Sequence, residues 1–141
     1  MQKETVCEIG ANISDMSGEE IGFLMDMAVD AGALNVWAQP ILMQKRQPAF
    51  LVTVICRKHD ATRFCELLLK HSMAFDLRIE TKSMIFMDAD MMYLQTSFGM
   101  VRVKRAGNKK YVEYEDLVRI ARKENISISD ARERILEEIG I

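Results

Sequence analysis

VCEIGANISDMSGEEIGFLMDMAVDAGALNVW, Val6 to Trp37, reads as a strand, an acidic turn, a helix and a second strand. Cys7-Glu8-Ile9 and Asn12-Ile13 have extended character. Ser17-Gly18-Glu19-Glu20 is an S-x-x-E capping box, in which a hydroxyl and a carboxylate satisfy free N–H groups at a helix start. Behind it Ile21, Leu24, Met25, Ala28 and Gly32 recur at helical spacing and form one apolar stripe. Gly32 or Asn35 ends the helix. Leu34, Val36 and Ala38 then alternate with Asn35, Trp37 and Gln39, the period of a strand. The turn gathers Asn12, Ser14, Asp15, Ser17, Glu19 and Glu20 where a strand ends and a helix begins, a place where binding groups are often held.

The same kind of pattern continues outward. Met43 to Pro48 is a polar turn, and Phe50 to Cys56 (FLVTVIC) is an apolar, β-branched run that suits a central strand covered on both faces. Asp60 is placed to cap a second helix whose stripe is Ala61, Phe64, Cys65 and Leu68. Phe75 to Lys82 alternates as a half-exposed strand. The resulting order, β-α-β-β-α-β, predicts a ferredoxin-like α+β core with both helices on one face of a four-stranded antiparallel sheet. Two more strands, about 91–96 and 100–105, predict an extra β-hairpin around Ser97-Phe98-Gly99, and Gly107-Asn108 is another turn signal. The tail reads as helices, with the stripe Tyr114, Leu117, Val118 and Ala121, a break at Asn125 and a new cap at Ser127 or Ser129. We therefore expect a core over 1–87 and an extension of hairpin plus helices over 88–141, forming one compact unit.

A chain of 141 residues is long enough to bury a core without staples. Its net charge of −2 gives the chain as a whole no polyelectrolyte character. The N-terminus lacks an apolar leader and no run approaches a membrane span, so a cytoplasmic protein with no membrane partner is expected. Cys7, Cys56 and Cys65 form no C-x-x-C pair and are expected as buried thiols. His59 and His71 are not at metal-ligand spacing. Eleven methionines, together with the extra hairpin, point to core or subunit-interface surface and thus to a homo-oligomer. Aromatics at stacking spacing are missing from the strands, which argues against nucleic acid.

Motifs for phosphate loops, dinucleotide folds and zinc sites are absent. What remains is an acidic group, Asp15, Glu19 and Glu20 with Glu113, Glu115 and Asp116, and a basic group, Lys45, Arg46, Arg102, Lys104, Arg105, Lys109 and Lys110. Carboxylates suit hard cations and Lys/Arg side chains suit phosphates, so a metal–nucleotide would use both. Equally, Ser17, Glu20 and Glu113 serve as capping residues and the cations as a solvated sheet face.

Five ordered blocks, Asn12–Glu19, Ala31–Trp37, Pro40–Pro48, Phe98–Lys104 and Glu113–Asp116, resemble the C-terminal part of the LarC family of nickel-insertion proteins. The resemblance covers about residues 6 to 130. It implies a CTP-dependent cyclometallation, assisted by Mg²⁺ or Mn²⁺, in which nickel enters a pyridinium dithiocarboxylate mononucleotide to complete the nickel-pincer cofactor. By matching position, it implies that Asn12, Asp15 and Glu19 hold the divalent ion and that Lys45, Arg102 and Lys104 contact the CTP phosphates. Glu113, Glu115 and Asp116 form a further block. The family's larger N-terminal part lies outside this chain, so an N-terminal LarC-like subunit is the implied partner. Ser14, Gln44 and Gln47 depart from the family pattern by removing charge, and of a T-x-G-x-R segment only Arg78 is kept. These departures support a second reading, a non-catalytic ferredoxin-like regulatory or assembly module that has lost nucleotide binding. In the first reading the chain is part of a nickel insertase.

Overall fold

The computed structural model describes residues 1–140. Strand β1 (Gln2–Ile13) is followed by helix α1 (Gly18–Asp30), strands β2 (Asn35–Met43) and β3 (Gln47–Arg57), helix α2 (Ala61–His71) and strand β4 (Arg78–Phe86). These strands form one sheet in the order β2-β3-β1-β4. β1 and β3 pair antiparallel from Val6 opposite Arg57 to Ile13 opposite Phe50. β2 pairs antiparallel on the other side of β3. The central position of β3 explains its composition, because Val52 to Cys56 are all buried.

Period-2 alternation assigns the two faces of this sheet. Cys7, Ile9, Ala11 and Ile13 of β1 join Val52, Val54 and Cys56 of β3 in a core with Ile21, Leu24 and Ala28 of α1 and Phe64 and Leu68 of α2. Both helices therefore cover one face. Glu8, Gly10 and Asn12 turn to the opposite face. Full burial of each large aliphatic side chain in that core contributes roughly 1.5–3 kcal/mol.

Helix α1 forms as the capping box requires. The Glu20 backbone N–H donates to Ser17 Oγ at 3.1 Å, and the Ser17 N–H donates to Glu20 Oε1 at 3.0 Å. At the other end Ala33 N–H bonds the Ala28 carbonyl and Gly32 N–H bonds that of Val29, both at 3.0 Å. Gly32 sits at φ 97, the left-handed residue such a helix end needs. Asp60 does not cap α2 with its side chain. Its backbone is helical after a short 3-10 turn, and its carboxylate pairs with Arg63 at 3.3 Å instead. The fourth strand begins at Arg78, not Phe75; the preceding loop is held by Ser72, whose hydroxyl donates to the Leu68 carbonyl at 2.6 Å.

The extension contains three strands rather than a hairpin. β5 (Asp90–Thr96), β6 (Gly99–Ala106) and β7 (Lys109–Val112) form an antiparallel meander in that order. The two-residue turn Gly107-Asn108, with Gly107 at φ 58, reverses the chain into β7. Helices α3 (Tyr114–Glu124) and α4 (Ile128–Glu138) follow. Val101, Val103 and Val112 form a second core with Leu117, Ile120, Ala121, Ala131 and Ile135. Tyr114, read as part of the α3 stripe, is 56% exposed, and Ile120 takes the core position. Asn125, left-handed at φ 53, ends α3, and Ser127 caps α4 by accepting from Asp130 N–H.

The chain divides into two compact units, Lys3–Ile85 and Met1–Gln2 with Phe86–Ile141, each with its own core, where the sequence reading had one. Ser17→Ala should lower the stability of the N-terminal unit by about 1 kcal/mol, the usual value of such a cap. Glu20→Gln, which still accepts the Ser17 N–H bond, should cost less. Urea titrations of the two variants check this; equal stability of Ser17→Ala and the parent chain would show that the cap contributes nothing.

Candidate functional site

The acidic turn at the end of β1 opens onto a cavity of about 350 Å³ lined by Asn12, Ser14, Asp15, Met43, Met73, Phe75, Asp76 and Arg78. Asp15 is left-handed at φ 61, a conformation that short polar side chains tolerate best among non-glycine residues. The Ser14 hydroxyl donates to Asp15 Oδ2 at 3.4 Å. Arg78 reaches across from β4, and its Nη2 donates to Asn12 Oδ1 at 2.9 Å. The guanidinium lies over Gly10, where a Cβ would stand 3.4 Å from Nη2. Arg78 also walls a smaller neighbouring cavity with Glu8, Gly10, Leu51, Thr53 and Glu80.

Of the residues expected at the metal, Asn12 and Asp15 share this cavity, while Glu19 is exposed in the first turn of α1 and is not among its lining residues. Asn12 Oδ1 already accepts from a guanidinium, and that cation disfavours a metal ion at the same oxygen. Among the described residues no group of three His, Cys, Asp or Glu side chains is placed to hold a metal. The donor set fits a Mg²⁺ or Mn²⁺ ion that takes one or two protein oxygens and completes its sphere with phosphates and water. Lys45 lies in the turn after Met43, which itself lines the cavity. Lys45 and Arg46 are both left-handed and exposed, with no ion pair among the described residues.

Arg102 and Lys104 belong to β6, in the C-terminal unit, and have different surroundings. Arg102 is taken up by Asp116: Nε donates to Oδ2 at 3.1 Å, Nη2 to Oδ1 at 3.3 Å, and the Arg102 backbone N–H to Oδ2 at 2.8 Å. Glu115 lies 4.0 Å from the same guanidinium. Asp90 holds Arg105 in the same way at 3.0 Å. Lys104 instead lines a cavity of about 420 Å³ with Ala106, Lys109, Lys110, Tyr111 and Glu113. Glu113 is the N-cap residue of α3 but makes no side-chain capping bond. Tyr111 is exposed, and register places it and Met91 on either side of Lys104. An aromatic therefore stands on this sheet face.

Sequence reasoning missed Phe75, Asp76, Met43 and Met73 as wall residues. Arg78 was visible as the retained arginine of a family segment, without a role. The three thiols are free; Cys7 and Cys56 are buried opposite each other in the core, and burial pushes Cys56 up to about 11.

Comparison with known proteins follows the same lines. A family model described as nickel insertion protein matches residues 1–132. The chain is 34% identical over 131 residues to a putative nickel insertion protein of Enterococcus faecalis, covering 90% of this chain and 40% of that protein. It is 28% identical over 140 residues to a pyridinium-3,5-bisthiocarboxylic acid mononucleotide nickel insertion protein of Acetivibrio thermocellus, covering 96% of this chain and 34% of that one. The chain thus spans between a third and two-fifths of the length of these relatives. Among solved structures it is similar to LarC2, the C-terminal domain of a cyclometallase involved in the synthesis of the NPN cofactor of lactate racemase, in the apo form. The TM-score is 0.87 at 28% identity, over 99% of this chain and 100% of that one. Protein MK0293 of Methanopyrus kandleri shares the fold, with a TM-score of 0.64 at 13% identity over 92% of this chain and 84% of that one.

The Arg102–Asp116 pair gives a pH prediction. Burial pushes the Asp116 carboxyl up, but hydrogen bonds from the Arg102 side chain and backbone, with the guanidinium charge, outweigh it and hold the group below its ordinary value of 3.8. A depressed carboxyl contributes stability that is fully present above that ordinary value and is lost as pH falls through the folded-state value. Asp116→Asn should therefore lower the melting temperature at pH 7 by a few degrees, roughly the effect of 1 kcal/mol in a domain of this size. The difference from the parent chain should shrink below about pH 4. A melting-temperature gap that stays constant from pH 7 to pH 3 would rule out the charge pairing as its source.

Proposed function

This chain belongs to the nickel insertion protein family, and we propose that it is the metal–CTP-binding domain of a nickel insertase, working with an N-terminal LarC-like partner. The observation that carries the reading is the full-length likeness to LarC2, at a TM-score of 0.87. It is supported by a cavity that combines a carboxylate turn with a fixed guanidinium at one end of β1. The proposed cargo is nickel, inserted into a pyridinium-3,5-bisthiocarboxylic acid mononucleotide, the compound that names the relatives.

In this reading the Asp15 carboxylate meets the Mg²⁺ or Mn²⁺ ion of metal–CTP, with Glu19 at the same helix start and the Asn12 side chain positioned by Arg78. Lys45, in the turn beyond Met43, neutralises phosphate. Lys104 remains an anion-contacting residue in the C-terminal unit, beside Lys109 and Lys110. Arg102 serves Asp116 first, so its contact with phosphate requires that pair to open; Glu115 strengthens the pair, and Glu113 faces the lysine cavity. When bound, CTP supplies the driving force for cyclometallation. Nickel takes its ligands from the mononucleotide and the N-terminal partner, since the thiols of Cys7 and Cys56 point into the core.

Metal–CTP at about 100 times its dissociation constant should stabilise the chain by roughly 2.7 kcal/mol. The same concentrations of ATP and GTP with MnCl₂ should do less. Asp15→Asn removes the charge without adding strain at φ 61, as alanine would. It should weaken Mn–CTP binding in calorimetry by about tenfold or more, the usual loss for a charge-assisted contact. Unchanged affinity would remove Asp15 from the ion. No response of the parent chain to any nucleotide would favour the assembly-module reading, for which Ser14, Gln44 and Gln47 are the sequence support.

A further inference from the structure

Phe75 is 98% exposed on the rim of the cavity that holds Asn12 and Asp15. Its loop is fastened on both sides. The Ser72 hydroxyl donates to the Leu68 carbonyl and accepts from Ala74 N–H at 3.2 Å, and Ala74 and Leu77 pack against the core. A fixed backbone therefore presents the ring to solvent. Around it stand an acceptor and a donor. Asp76 has no ion pair among the described residues. Arg78 is oriented by Asn12 through one N–H, and its other N–H groups have no partner among the described residues. Met43 and Met73 complete an adaptable apolar wall. A flat platform, a carboxylate and a guanidinium around about 350 Å³ form a recognition set for a small heteroaromatic ring with hydrogen-bonding edges.

We propose that Phe75, Asp76 and Arg78 form the base-reading part of the metal–nucleotide site, an inference that rests on the nucleotide reading above. The base stacks on Phe75. Asp76 accepts from an exocyclic amine, and Arg78 donates to the ring nitrogen and carbonyl beside it. Cytosine presents that pattern. Uracil turns a carbonyl oxygen towards Asp76 and is rejected, because two acceptors then face each other.

The test measures Mn²⁺-dependent binding of CTP, UTP and base-free tripolyphosphate by calorimetry, on the parent chain and on Phe75→Ala, Phe75→Trp and Asp76→Asn. Phe75 is at the surface, so each variant should melt, without ligand, where the parent does. Phe75→Ala should weaken CTP by about tenfold, the size of a lost base–aromatic stack, and leave tripolyphosphate unchanged; Phe75→Trp should restore CTP. Asp76→Asn, whose amide can donate, should narrow the preference for CTP over UTP. A parent chain that binds CTP, with Phe75→Ala binding it equally well, overturns the inference and leaves the nucleotide reading intact. Loss of tripolyphosphate in parallel with CTP also overturns it, as does a change in molar mass by light scattering with nucleotide binding unaltered, which would assign Phe75 to a contact between copies. A parent chain that binds no nucleotide overturns both.

Discussion

β3 has to be buried on both faces. Val52, Val54 and Cys56 face the helices, while Thr53 and Ile55 are buried on the opposite side. Such a strand cannot lie at an edge, so β1 and β2 must flank it, and β4 is left to pair with the free side of β1. The chain order then requires each helix to cross the same face, since that is where the stripes of α1 and α2 find apolar partners. The position of the candidate site follows from this. β1 is central, its last residues run to the end of the sheet, and the turn into α1 is held by Ser17 and Glu20. Asn12 and Asp15 are thereby set at fixed places beside the strand that brings Arg78.

The arginines and lysines of this protein are used differently. Arg102 and Arg105 are each matched by a carboxylate, and Arg119 donates to the carbonyls of Phe98 and Met100 at 2.9 and 2.8 Å. A planar guanidinium suits such multiple, directed bonding. These residues tie β5, β6 and α3 together. Lys104, Lys109 and Lys110 are single charges on flexible stems, and they face a cavity without an ion pair among the described residues. The positive charge lining that cavity is therefore lysine charge, though the chain as a whole is slightly acidic.

The N-terminal cavity has a different balance, with Asp15 and Asp76 against Arg78. That excess of negative charge would repel a free nucleoside triphosphate. It suits one that arrives with a divalent ion, which reverses the sign next to the carboxylate and is held by few protein ligands.

The sequence by itself determined whatever depends on neighbours along the chain: the capping box, the stripes of α1 and α2, the unbroken run of β3 and hence the βαββαβ order. Gly107-Asn108 was legible as a turn, but β7 is four residues long and becomes a strand only because β6 offers it a ladder. The alternation through Phe75 extended the fourth strand too early, since a loop tied by Ser72 can carry the same pattern without pairing. Asn12 and Asp15 were legible as polar residues of a turn, and Lys104 as one of a set of cations. Only the tertiary structure decided that Arg102 is bound by Asp116, that Arg78 reaches Asn12 66 residues away, and that Phe75 stands in water beside them. Periodicity and capping are short-range properties of the backbone, whereas an ion pair or a cavity wall depends on which residues the fold brings together from distant parts of the chain.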